Sequence, residues 1–201
     1  PGLLRSVFEA NVGVKLSKTR NLWLDAGIMP SHIGFESAIG KDCWNLTRSI
    51  LADNTPYYEA GARVSYTSDN GKWYASGLLL NGWQRIARVD GNNTPAFGTQ
   101  LTYKPNGNTT LNWSTFVGND KPDTVSQPRI FNNLYAQLQI TERFGVIVGC
   151  DIGMEQAVSG DSSSTWITPI LIPRYKLGEK SYLAARVEYY QDEKGVIIAT
   201  G

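Results

Sequence analysis

Few residues in this chain combine the type and the spacing that catalysis needs. His32 is the single histidine, and with Ser31 beside it and carboxylates nearby it raises the question of a hydrolase. A triad needs its members to meet in space with an orienting third group, and adjacent side chains point apart. The sequence therefore places His32 in a solvent-facing loop and assigns no catalytic residue. Gly34 to Lys41 has the look of a phosphate loop, but five residues rather than four separate Gly34 from Gly40, and Asp42 stands where a hydroxyl would bind magnesium. Cys43 and Cys150 are too few for a disulfide scaffold and lack metal-site spacing, so two separate shielded thiols are expected, with no metal and no cofactor. The sequons at Asn45, Asn108 and Asn112 are expected noise in an Asn/Thr-rich chain.

The charged residues suit a different task, the lining of a wall. Glu9, Lys15, Asp25, Glu59, Arg63, Arg186 and Glu188 all fall on the polar side of alternating runs. In Arg5 to Leu16, Phe8, Ala10, Val12, Val14 and Leu16 share one face, opposite Glu9, Asn11, Gly13 and Lys15. Tyr58 to Tyr66 and Ile130 to Thr141 repeat the pattern, the latter with Leu134, Ala136, Leu138 and Ile140 against Asn133, Tyr135, Gln137 and Gln139.

The elements that carry these faces are strands throughout. Leu22 to Met29, Ala96 to Lys104, Thr109 to Val117, Phe144 to Met154 and Ser181 to Gln191 complete eight clear strands, while Lys72 to Gly82 and Trp166 to Lys176 have ambiguous facing. Pro169 and Pro173 cannot donate ladder hydrogen bonds, so a bulge or irregularity is expected there. Asn70-Gly71 and Asn106-Gly107 carry the signature of type I′ hairpins, in which both central residues take positive φ. Ten strands in five hairpins result. Short turns after Leu16, Thr67, Lys104, Ile140 and Lys176 alternate with longer polar connections, Pro30 to Pro56, Trp83 to Pro95, Gly118 to Pro128 and Glu155 to Thr165. The last four turns recur about every 36 residues, the length of two membrane strands, a tight turn and a loop.

Composition bounds the rest. At 201 residues, 41% hydrophobic, 18% charged and net charge +1, the chain is neither disordered nor basic enough to imply a nucleic-acid partner. Apolar stretches are far shorter than the roughly 20 residues of a spanning helix. Polar faces rich in Asn, Gln, Ser, Tyr and Gly, rather than Lys and Glu, fit a wet lumen with lipid outside better than a soluble sandwich. The fold expected is an all-β antiparallel transmembrane β-barrel of at least ten strands.

The stretch Asn21 to Tyr66 carries a resemblance. Gly27, Ile33 to Ser37, Asn45 with Thr47 to Ser49, Pro56 and Gly61 to Val64 resemble the β-barrel porin family of the OmpL-like type. Asn81-Gly82-Trp83 and Arg186 to Tyr190 with Asp192 and Gly195 extend it over most of the chain. The resemblance implies a bacterial outer-membrane location and a porin-like channel for passive diffusion of small polar solutes, not an enzyme. An accessory barrel within a larger outer-membrane assembly is the alternative. Partners expected are outer-membrane lipid, small polar solutes and other outer-membrane proteins or further copies. Family members are longer and barrels usually finish on an aromatic strand, so residues 1–201 are expected to form one barrel domain incomplete at the C-terminus. Pro30 to Pro56 is long and apolar for a solvated excursion. It is expected to fold back on the mouth or wall through Ile33, Phe35, Ile39, Trp44, Leu46, Ile50 and Leu51, presenting Glu36, Lys41 and Arg48 to the opening.

Overall fold

The structure, a computed structural model, describes residues 7–157 and 162–199. The first residues of the strand expected from Arg5, the tip of the connection Glu155 to Thr165, and Gly201 lie outside them. The remainder is one antiparallel meander. β1 (Ala10–Lys15), β2 (Asn21–Pro30), β3 (Tyr58–Thr67), β4 (Trp73–Leu80), β5 (Ala96–Asn106), β6 (Thr109–Asn119), β7 (Pro128–Gln139), β8 (Phe144–Gln156) and β9 (Ser163–Lys176) pair strictly in sequence order. β10 (Tyr182–Ala184) and β11 (Val187–Glu188) both pair with β9. The one α-helix among the described residues, α1 (Ile50–Asp53), is a single turn between β2 and β3. The sheet is not closed: among the described residues β1 and the β10/β11 line are its edges.

Prolines account for the division of the last strand. Tyr182 faces Lys176 and Val187 faces Leu171, so the register along β9 does not shift. At the two positions between and beyond these pieces the partner is proline. The Ala185 N–H donates to the Pro173 carbonyl and the Tyr189 N–H to the Pro169 carbonyl, both at 3.1 Å. Proline has no N–H to return. The irregularity expected at Pro169 and Pro173 is thus an interrupted ladder without a bulge, confined to the β10/β11 side because both rings point that way and the β8 ladder runs through unbroken.

Two hairpins form where expected, but not with the expected turn. Gln84 is the only described non-glycine residue with positive φ, so neither Asn70 nor Asn106 is left-handed and neither turn is type I′. Each asparagine instead uses its side chain as a local acceptor, Asn70 Oδ1 for the Lys72 N–H at 3.0 Å and Asn106 Oδ1 for the Asn108 N–H at 2.9 Å. Gly71, at φ 68°, supplies the left-handed residue of the first turn. A register shift between Tyr103 and Asn106 supplies the compensating twist in the second.

Alternation assigns the faces. Leu111, Trp113, Val117, Ile130, Leu134, Val148, Ile152 and Leu171 point outward and are exposed. Facing inward, one register row runs Ser65, Ser76, Gln100, Ser114, Asn133, Asp151 and Thr168 across β3 to β9. Every member carries a hydrogen-bonding side chain. Nearer the long connections the inward face turns apolar, with Leu78, Leu80, Phe116, Phe131 and Trp166 buried together. Gly27 faces Gly61, and their φ values of 132° and 154° would direct a Cβ into the neighbouring strand; on Gly61 it would fall 1.9 Å from the Leu79 carbonyl oxygen.

The facing makes a direct prediction. Leu134→Arg puts a charge at the middle of β7 on its outer face and is expected to cost about 2 to 4 kcal/mol in a lipid bilayer, whereas Gln137→Arg on the inner face is expected to be tolerated. A denaturant titration of the protein folded into lipid vesicles measures both, and equal sensitivity contradicts the assignment.

Candidate functional site

The connection between β2 and β3 does not project from the sheet; it crosses its concave face. The crossing begins with a local turn in which Ser31 Oγ accepts the Ile33 N–H at 3.1 Å, aiming the next residues inward. His32 lands on the sheet. Its Nδ1 lies 2.7 Å from Glu59 Oε2, its Nε2 2.8 Å from the Thr115 carbonyl oxygen, and its own carbonyl accepts from Ser114 Oγ at 2.7 Å. A carbonyl only accepts, so Nε2 carries a proton. The His32 and Glu59 side chains are 0% and 1% exposed. Gly98 makes the approach possible: a Cβ there would sit 2.8 Å from the imidazole.

Further contacts carry the crossing to the far edge. The Gly34 N–H donates to Asn133 Oδ1 at 3.1 Å, and Asn133 Nδ2 donates to Asp151 Oδ1 at 2.6 Å. Phe35 meets Tyr135 edge-on at 5.5 Å and lies above Gly149. Trp44 covers Gly145, with the Arg174 guanidinium 3.9 Å from its ring centroid. Ser49 caps α1 by accepting the Ala52 N–H, and Leu51 packs on Ile147, Ile170 and Ile172. At the last strand, Arg186 donates to the Thr47 carbonyl at 2.6 Å and Glu188 accepts the Ile50 N–H at 2.8 Å.

His32 is therefore buried within the crossing, and the solvent-facing position read from the sequence is corrected. Periodicity in β3 marked Glu59 as inward, but nothing local to His32 announced its partner. Gly98, Ser114, Thr115 and Asn133, which receive the loop, were not singled out; the signal available was a glycine among inward-facing polar residues. Of the seven apolar anchors expected, Ile33 and Leu51 are buried and Phe35 and Trp44 are packed on the sheet, whereas Ile39, Leu46 and Ile50 are exposed.

The charged residues divide into three groups. Asp25 and Arg63 face each other across β2 and β3 and form a partly buried ion pair at 3.1 Å on the inner face. Arg186 and Glu188 pair at 2.9 Å and clamp the loop's far end. Glu36 is internal to the loop, accepting from the Ser49 N–H at 2.8 Å and from its hydroxyl. Arg48 donates to the Ser37 and Ala38 carbonyls. Lys41, Glu9 and Lys15 are exposed, Lys41 in a 3₁₀ turn, Glu9 just before β1 and Lys15 at the end of β1. Cys43 and Cys150 are both free thiols, the first in the loop and the second on β8. At the other end of the interior, Trp83 stands edge-on to Phe116 and Phe131, and Arg129 lies over Trp83 at 5.0 Å while bonding Glu155.

Burial alone would lower the His32 pKa. The Glu59 charge and hydrogen bond, with the Thr115 carbonyl, outweigh it against the opposing effect of the Arg63 charge, and hold the imidazole above its usual 6.5.

A family model described as Putative beta-barrel porin-2, OmpL-like, matches residues 1–201. No curated protein and no solved structure matches the chain.

A raised native pKa means that the His32 contribution to docking is fully present below about pH 6.5, the unfolded value, and is lost as pH rises through the native one. Proteolysis within Ser31–Tyr57 of the folded protein is expected to accelerate across that window, and Glu59→Gln to flatten the dependence. A cleavage rate independent of pH in the unaltered chain contradicts the pairing.

Proposed function

Because this chain belongs to the OmpL-like β-barrel porin family, we propose that it forms an outer-membrane passage for small polar solutes, narrowed from within by the Ser31–Tyr57 loop. The observation that carries this reading is the loop's course: a strand connection is spent on crossing the interior, bound to side chains from β3 to β9, instead of on the exterior. Diffusion needs no catalytic group, only a lumen whose width and charge select what passes. Asp25 and Arg63 hold opposite charges on the inner wall and keep part of their side chains accessible. With Lys15 and Glu9 on the neighbouring strand line, they are the residues we assign to the passage. Glu36, Arg48, Arg186 and Glu188 act on it through the loop that they shape, and Glu59 through His32. Lys41, exposed in its 3₁₀ turn, is assigned a direct role in meeting solutes. Mixed charge disfavours strong ion preference.

A second reading has its own support. The cluster of Phe116, Phe131, Trp83 and Trp166, joined by Val196 and Ile197, fills the interior near the long connections with apolar side chains. That filling suits a plugged barrel serving as an accessory subunit whose loops bind other outer-membrane proteins.

Planar-bilayer recording of the full protein separates the two. The passage reading expects discrete conductance steps, and expects Arg63→Glu to move ion preference toward cations while steps persist. A protein that inserts stably yet never conducts favours the accessory barrel.

A further inference from the structure

A cavity of about 310 Å³ opens at the long-connection end of the sheet, between the approach to β1, the inward loop and the connection after β4. Phe8, Ala38, Arg48, Tyr57, Tyr58 and Gln84 line it, with Val7 at its edge. Its size falls within the range of small-molecule sites.

Two of these residues are held in ways that the fold alone does not require. Gln84 is the only described non-glycine residue at positive φ, 54°, a conformation that costs free energy and is kept only where its surroundings enforce it. Its Oε1 accepts the Tyr57 N–H at 2.8 Å, which leaves its NH₂ without a partner among the described residues. Arg48 is the second. Arg20, Arg63, Arg85, Arg129 and Arg186 each pair with a carboxylate, whereas Arg48, like Arg88, Arg143 and Arg174, pairs with none of the described ones. The nearby carboxylates do not pair with it: Asp53 accepts from the Tyr57 hydroxyl and Glu36 from Ser49 through Oε2, leaving Glu36 Oε1 without a partner among the described residues. The guanidinium is nevertheless fixed in orientation. Its Nε donates to the Ser37 carbonyl at 3.0 Å, Nη2 to the Ala38 carbonyl, and its centre stands 5.2 Å from the Tyr57 ring centroid. Nη1 makes no hydrogen bond to the described residues, and Nη2 retains a second hydrogen.

We propose that this cavity binds a small planar carboxylate carrying a ring or short apolar body. The end-on edge of the Arg48 guanidinium, Nη1 with the second hydrogen of Nη2, matches the two oxygens of a carboxylate. Phe8 and the tyrosine rings supply the apolar wall, and the Gln84 amide a donor for a substituent. The site deepens the passage reading, on which its use as a collecting point for solutes at the mouth rests. Its existence does not depend on conduction.

Benzoate and the uncharged isostere benzamide are the probes, measured by calorimetry on the full protein in detergent. Benzoate is expected to bind saturably and benzamide at least about tenfold more weakly. Arg48→Gln is expected to abolish the difference. Because Arg48 also braces the loop, Gln84→Gly serves as a second variant: it relieves the strained backbone while giving up the Tyr57 N–H acceptor, two changes of opposite sign, so it is expected to retain the fold, checked by heat-modifiable migration on gels, while weakening benzoate severalfold. Equal binding of the two probes, no benzoate binding, or unchanged discrimination in both variants overturns the proposal. Conductance without benzoate binding removes the site and spares the passage; benzoate binding without conductance does the reverse.

Discussion

The interior of this protein is organised around an imidazole and a carboxylate that have almost no contact with solvent. Burying an ionisable pair is tolerable only when each polar atom meets a partner, and a pair deprived of one member is strongly destabilising. The His32–Glu59 contact meets most of that demand through two strands: Glu59 on β3, and on β6 the Thr115 carbonyl with Ser114 beside it to hold the backbone. Glu59 Oε1 is the one oxygen left without a protein partner. Because the pair is reached only by a loop that turns inward, its formation fixes the course of everything from Ser31 to Tyr57. The remaining contacts, Gly34 on Asn133, Phe35 on Tyr135 and Trp44 under Arg174, follow along one path across the sheet.

That path explains which strands were readable. Where the inner face carries polar groups, as in β6 and β7, alternation is clean and the facing of Asn112, Ser114, Leu134 and Leu138 follows from a period of two. In β4 and β9 it is not. Leu78, Leu80, Trp166, Ile170 and Ile172 point inward yet are apolar, because they pack under Ile33, Trp83 and Leu51 rather than facing water. A strand covered on both sides loses its alternation, so β4 and β9 could be placed but not oriented. The turns show the opposite lesson: Asn-Gly correctly marked two hairpins, but the dipeptide does not reveal whether asparagine contributes its backbone or its side chain.

The functional features were legible to an unequal degree. Arg186, Glu188, Thr47 and Ser49 lie in the stretches that carried the family resemblance, and they prove to be the residues that clamp and cap the inward loop. The Asp25–Arg63 pair could be placed on one face by alternation, and its register needed only the β2/β3 pairing. The burial of His32 could not be read, since its partners stand 27 and 83 positions away. Long-range complementarity between a loop and a sheet face leaves no periodic trace. Glycine positions such as Gly98 are its nearest sequence signal, and they acquire meaning only once the loop is in place.

The most direct measurement is hydrogen exchange of the Ser31–Phe35 amides in the membrane-embedded protein. The His32 and Gly34 N–H groups are bonded to the Glu59 and Asn133 side chains rather than to backbone. The structure predicts that both exchange as slowly as strand amides, and that Glu59→Ala and Asn133→Ala release them. Exchange at the rate of an open loop in the unaltered protein would contradict an interior organised by this contact.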